Sequence, residues 1–370
     1  MPLRWHAGGV TAHPPSAPRL RPRAAVAGLP AYVPGARPAD DTSHKLSSNE
    51  NPFEPLAPVR EVIAAAAGRV NRYPEMYADT LVAAIAARHG VGPEQVVAGT
   101  GSVAVLGHVL QAFCDPGDQV VTAWRSFEAY PILVRLQGAE HVQVPLGPGA
   151  RHDLSAMTAA VTDRTRALLI CTPNNPTGPA VRHDELESVL ATVPDHVLVV
   201  IDEAYVEFVT DPQAPDSGRL LADHPNVAVL RTFSKAYGLA GLRVGYLVAH
   251  PEVASAVRTA STPFGVNDLA QTAALASLDA RDALMERVAA VVAERDRVLA
   301  ALLAQGWQVP DPQGNFVWLA TGPATAELAA RAAARGLLVR PFAGEGLRIS
   351  IGTPAANDAV LALTAEWVAV

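Results

Sequence analysis

The segment Thr232-Phe-Ser-Lys-Ala-Tyr-Gly-Leu-Ala-Gly-Leu-Arg243 holds the residues best suited to chemistry. Lys235 is one of only two lysines, with Lys45, in a chain with 29 Lys and Arg residues. Arginine serves wherever a plain positive charge is enough, so a retained lysine points to amine chemistry. A primary amine can form a Schiff base with an aldehyde, and a guanidinium cannot. Read alone, Lys235 could equally be a surface lysine.

Three other polar signals stand out, and Arg243 adds to the first segment. Gly99-Thr-Gly-Ser102 opens a helix and offers an anion cradle of backbone N–H groups, or else a plain N-cap. Thr172-Pro-Asn-Asn-Pro-Thr-Gly178 contains Asn175, which could set a turn or hold a phenolic oxygen. Asp202, in Asp-Glu-Ala-Tyr205, ends an apolar run and needs a partner if buried. That partner could be a nearby loop or a protonated ring nitrogen. Arg243 could form a salt bridge or anchor a phosphate that Ser102 and Ser234 also contact. Phosphate anchor, ring-nitrogen carboxylate, phenol partner and amine together describe pyridoxal phosphate.

The elements that must position these groups are legible as apolar runs. Runs near 119–122, 140–145, 167–171, 197–201, 227–230 and 244–249 are rich in Val, Leu and Ile and alternate with helical stretches. That alternation predicts an α/β fold with a mostly parallel sheet flanked by helices. In such a sheet ligands bind beyond the carboxyl ends of the strands, where the polar signals fall. Helices are expected at about 58–68, 78–89, 103–113, 252–260, 267–305 and 325–335. Asn315–Leu319, Leu337–Arg340 and Leu347–Ile351 read as strands of a smaller α+β unit. The expected division is an irregular Pro-rich arm over 1–45, a large domain over 46–262 and a small C-terminal domain over 263–370.

At 370 residues, with 49% hydrophobic and 18% charged residues, the chain has the composition of a well-packed globule. A net charge of −7 and a pI near 5.9 give no footprint for nucleic acid. No apolar run reaches the roughly 18 residues of a membrane span, and the start lacks a secretory signal's apolar core. Cys114 and Cys171 lie in apolar runs without metal spacing, so buried free thiols and no metal site are expected. The expected setting is cytoplasmic.

With Ser47-Ser-Asn-Glu-Asn-Pro52, Asn-Asn-Pro-Thr-Gly, Asp-Glu-Ala-Tyr, the Lys235 motif and Arg348-Ile-Ser-Ile-Gly-Thr353, the chain resembles fold-type I pyridoxal-phosphate aminotransferases. The branch is that of histidinol-phosphate and aromatic aminotransferases. The resemblance implies that Lys235 forms the Schiff base with the cofactor and moves the substrate proton. It implies that Asp202 pairs with the pyridine nitrogen, that Asn175 and Tyr205 contact the phenolic oxygen, and that Phe127 stacks on the ring. Ser102, the Val103 amide, Ser234 and Arg243 would hold the phosphate. Tyr73 would reach the phosphate of a neighbouring subunit, making a homodimer with shared sites part of the mechanism. Arg348 resembles the arginine that takes the substrate carboxylate; Arg340 matches a second arginine near the substrate, and Tyr32 an arm tyrosine that closes over it.

Ser102-Val103-Ala104, lacking acidic residues, and Trp124-Arg-Ser-Phe-Glu-Ala-Tyr-Pro131 look more like the aromatic (phenylalanine) aminotransferases. The expected reaction moves an aromatic amino group to a 2-oxo acid such as 2-oxoglutarate, in amino-acid biosynthesis. Histidinol-phosphate transamination is the alternative. A decarboxylase or lyase on the same scaffold would release carbon dioxide or ammonia without net amino transfer. A pyridoxal-binding regulator would need a DNA-binding domain that the arm is too short to supply.

Overall fold

A computed structural model describes residues 20–29, 31, 35–36 and 43–368. Its centre is a seven-stranded sheet of β1 (Val96–Gly99), β2 (Gln119–Trp124), β3 (Glu140–Pro145), β4 (Thr165–Cys171), β5 (Leu198–Asp202), β6 (Val227–Thr232) and β7 (Gly245–Ala249). The spatial order is β1-β7-β6-β5-β4-β2-β3. β7 runs antiparallel to both neighbours, and every other pair is parallel. Every residue of β5 and β7 is buried, as strands covered on both faces must be. One core fills the side containing Leu81, Ile85, Val199 and Val229; a second fills the side with Leu106, Leu110, Val200 and Leu247.

The antiparallel β7 has a direct effect on the site. A parallel partner would need a crossover, whereas residues 233–244 can turn back at the same edge. Lys235 and Arg243 are therefore kept together at the carboxyl end of β6. The helix α1 (Ser102–Phe113) starts at that edge too, immediately after β1.

A smaller sheet is built from β8 (Phe316–Leu319), β9 (Arg340–Phe342) and β10 (Gly346–Ser350), all antiparallel in the order β9-β10-β8. The helices Arg281–Ala304, Thr325–Ala334 and Pro354–Val368 share its core, through Val291, Val298, Leu328, Val360, Leu363 and Trp367.

Some elements differ from the sequence reading. The helix expected over 267–305 breaks at Ala280 (φ −89°, ψ 28°) into Asp268–Asp279 and Arg281–Ala304. The first half packs Ala270, Ala273, Ala274 and Leu278 into the core of the large sheet. The terminal helix Pro354–Val368 is not among the expected elements, although Ala356, Val360, Leu363 and Trp367 have the spacing of one buried helical face. The end of the arm is also less irregular than expected: His44–Lys45 pairs in parallel with Leu337–Leu338, and Ala24–Ala27 forms a helical turn. Among the described residues, no helix is long and apolar enough to cross a membrane. Cys114 and Cys171 are buried free thiols, and no metal-binding group of His, Cys, Asp and Glu occurs among those residues.

Candidate active site

A cavity of about 450 Å3 opens at the carboxyl edge of the large sheet, against β9 and β10. It is lined by Ser102, Val103, Phe127, Asn175, Asp202, Tyr205, Ser234, Lys235, Arg243, Arg340 and Arg348. These come from six separate stretches of chain, and the strand ends bring them together. Among the described residues, one expected residue is elsewhere. Tyr73 is 84% exposed outside the cavity, its ring 4.8 Å from that of Phe264. Tyr32 lies outside the described residues.

Lys235 Nζ donates to the Ser48 carbonyl at 2.9 Å. Burial, with help from the Arg348 charge, brings its amine down to about 7, so a large share is neutral and nucleophilic near neutral pH. Asp202 is buried at the end of β5, and its Oδ2 accepts the Tyr130 hydroxyl at 2.7 Å. Its Oδ1 is buried with no hydrogen-bond partner among the described residues. Burial pushes this carboxyl up to about 6, opposed by the Tyr130 hydrogen bond. An orphaned carboxylate oxygen in a cavity wall calls for a cationic N–H.

The hydrogen-bond roles of Asn175 and Tyr205 are complementary. Arg348 Nη1 donates to Asn175 Oδ1, which leaves the Asn175 amide as a donor. Asn49 Nδ2 donates to the Tyr205 hydroxyl at 3.0 Å, leaving the tyrosine proton to donate in turn. Asn49 is itself fixed by Ser350, with Ser350 Oγ donating to Asn49 Oδ1 at 2.9 Å. Arg348 Nη2 also donates to the Ser47 carbonyl at 2.6 Å. The polar stretch Ser47–Asn51 thus ties β10 to the lysine loop, with Asn51 Nδ2 donating to the Ala236 carbonyl at 2.8 Å.

The other end of the cavity has the makings of an anion cradle. Arg243, at φ 55°, donates through Nη1 to Ser234 Oγ at 3.2 Å. Gly101 has φ +90°, and a Cβ there would stand 2.5 Å from Arg243 Nη2. A Cβ on Gly245 would stand 2.4 Å from the Ser102 nitrogen. Both glycines are needed for close approach at the start of α1, where N–H groups are unpaired. The cradle, the orphaned Asp202 oxygen and the neutral-prone amine fit pyridoxal phosphate.

Sequence reading did not assign roles to Tyr130 or Glu128. A tyrosine inside the apolar run Ala129–Val134 must find a partner for its hydroxyl, and that signal was available. Glu128 Oε2 accepts from Arg340 Nε at 3.2 Å and Nη2 at 2.6 Å, a contact no local pattern predicts.

The family model described as aminotransferase class I and II matches residues 42–363. An aromatic amino acid aminotransferase of Streptomyces avermitilis is 54% identical over 354 residues, covering 95% of this chain and 98% of the relative. One from Thermobifida fusca is 57% identical over 347 residues, or 93% and 96% of the two chains. Among solved structures, histidinol-phosphate aminotransferase from Sinorhizobium meliloti in complex with pyridoxal-5'-phosphate superposes with a TM-score of 0.82 at 29% identity, covering 88% of this chain and 90% of that one. Aspartate aminotransferase from Thermus thermophilus with maleate gives 0.76 at 26% identity, covering 86% and 90%.

Proposed function

This chain belongs to the class I and II aminotransferases, and on that premise we propose that it moves the amino group of an aromatic amino acid to a 2-oxo acid such as 2-oxoglutarate. The observation that carries the substrate class is the identity of 54% and 57% to relatives named for aromatic amino acids, over nearly the whole chain. The cavity agrees with it. Phe127, Ile132 and Leu133 line it with apolar surface, and Glu128 already occupies Arg340.

Pyridoxal phosphate, when bound, supplies an aldehyde for the amine and a ring that withdraws electrons from the substrate Cα. Lys235 would supply the amine and then, once released, carry the proton at Cα. Its neutral form is accessible near pH 7 because burial disfavours the ammonium. Asp202 Oδ1 would face the ring nitrogen and keep its proton in place, while Tyr130 fixes the other oxygen. The Asn175 amide and Tyr205 hydroxyl are both left as donors toward the ring's phenolic oxygen. Phe127 would stack on the ring, and Ser102, the Val103 amide, Ser234 and Arg243 would hold the phosphate. Arg348 would orient the substrate carboxylate. Tyr73 would serve a second copy's site in a homodimer, and the arm with Tyr32 would cover the substrate; the setting we propose is cytoplasmic and biosynthetic.

The test is a single-turnover comparison of phenylalanine, tyrosine and histidinol phosphate with purified holoenzyme, followed by the cofactor's absorbance. Phenylalanine and tyrosine should each react with at least about ten times the kcat/KM of histidinol phosphate, one pocket contact's worth of discrimination. Faster reaction with histidinol phosphate would overturn the assignment.

A further inference from the structure

Arg340 and Arg348 stand directly opposite each other in the β9–β10 register, and both line the cavity. Residues so paired project from the same face of a sheet. Their guanidinium carbons lie 5.8 and 5.9 Å from the Phe342 ring centroid, so the two cations flank one aromatic surface. Arg340 gives two hydrogen bonds to a single oxygen of Glu128. The Arg340 side chain is 9% exposed and that of Glu128 28%. Water can therefore receive the glutamate if the pair opens, while the arginine stays buried beside the cavity.

The two substrates of the proposed reaction make opposite demands here. An aromatic amino acid brings one carboxylate and a neutral ring, and a closed Arg340–Glu128 pair presents no excess charge to that ring. A dicarboxylic acceptor brings a second carboxylate that needs a cation. We infer that Glu128 is a specificity-determining residue: it competes with the distal carboxylate of dicarboxylic substrates for Arg340, and so holds their affinity down while the ring of an aromatic substrate is admitted. The inference deepens the functional reading above and rests on it.

The experiment measures binding of two unreactive ligands to holoenzyme, glutarate with two carboxylates and 3-phenylpropionate with one. Glu128→Gln keeps the shape of the side chain and removes its charge. It should tighten glutarate about ten-fold and change 3-phenylpropionate by less than about two-fold, the scale of one charge-pair coupling. Arg340→Gln should weaken glutarate, and the added Glu128→Gln change should then have no further effect. Equal shifts for both ligands, or weaker glutarate binding in Glu128→Gln, would overturn the inference. So would a Glu128→Gln effect that persists without Arg340. Cofactor absorbance and thermal melting verify that each variant is folded and loaded; if Glu128→Gln does not load, Glu128→Asp, too short to hold Arg340 as closely, takes its place with the same expected order. Failure of the wild type to convert phenylalanine would sink the functional reading separately, since the ligand comparison does not depend on turnover.

Discussion

At the scale of the residue, Asp202 carries the clearest conflict between stability and function. Its folded value of about 6 lies above the ordinary 3.8, because burial penalises the carboxylate. A raised value means that the folded chain binds the proton more tightly. The resulting stability is fully present below about pH 4 and is lost as pH rises through about 6. At pH 8 the cofactor-free protein thus buries a charge at a cost of about 3 kcal/mol. Asp202→Asn should raise the melting temperature of cofactor-free protein at pH 8, and the gain should fade toward pH 4. Melting curves at the two pH values check this; a gain of the same size at both would mean that the buried charge is not its source. In the loaded enzyme the same change removes the proposed partner of the ring nitrogen, and activity should fall steeply.

At the scale of the element, the cradle at the start of α1 depends on what two glycines leave out. Gly101→Ala would place a methyl group against Arg243 in a backbone conformation that alanine resists. We expect cofactor affinity to fall about ten-fold or more, one lost charge-assisted contact, with the far-UV spectrum unchanged. Titration of cofactor-free protein by absorbance measures it, and unchanged affinity would argue against Arg243 as the phosphate anchor. The elements around this cradle were largely legible in the sequence. Strands buried on both faces read as unbroken Val, Ile and Leu runs, and β4, β5 and β6 each end in a polar signal. What escaped reading has two physical origins. The terminal helix is built from Ala, Thr and Asn among its apolar residues, which dilutes its pattern. The Tyr130–Asp202 and Arg340–Glu128 contacts join residues 72 and 212 positions apart, and no local periodicity encodes such pairings.

At the scale of the whole molecule, Val70, Tyr73, Met76, Tyr77 and Phe264 are all exposed large hydrophobic residues. Tyr73 packs on Phe264, and the Phe264 amide donates to the Met76 carbonyl at 3.2 Å, so they form one face. Apolar surface of this kind marks an interaction site, and in the proposed dimer it meets a second copy. Phe264→Asp should yield monomers by sedimentation and weaken cofactor binding about ten-fold or more, since the proposed Tyr73 donor would be lost along with the neighbour. A variant that stayed dimeric with normal affinity would place the interface elsewhere. The strand order has a temporal consequence as well. β1 lies at the edge of the sheet and pairs only with β7, joining Gly99 to Gly245. During synthesis the first strand of the sheet must wait for the last, because its sole neighbour emerges from the ribosome only after the other five. The anion cradle, shared between the end of β1 and the start of β7, is completed at that same late moment. A nascent chain therefore cannot capture its cofactor until nearly the whole large sheet has been made, and cofactor capture marks the end of its assembly.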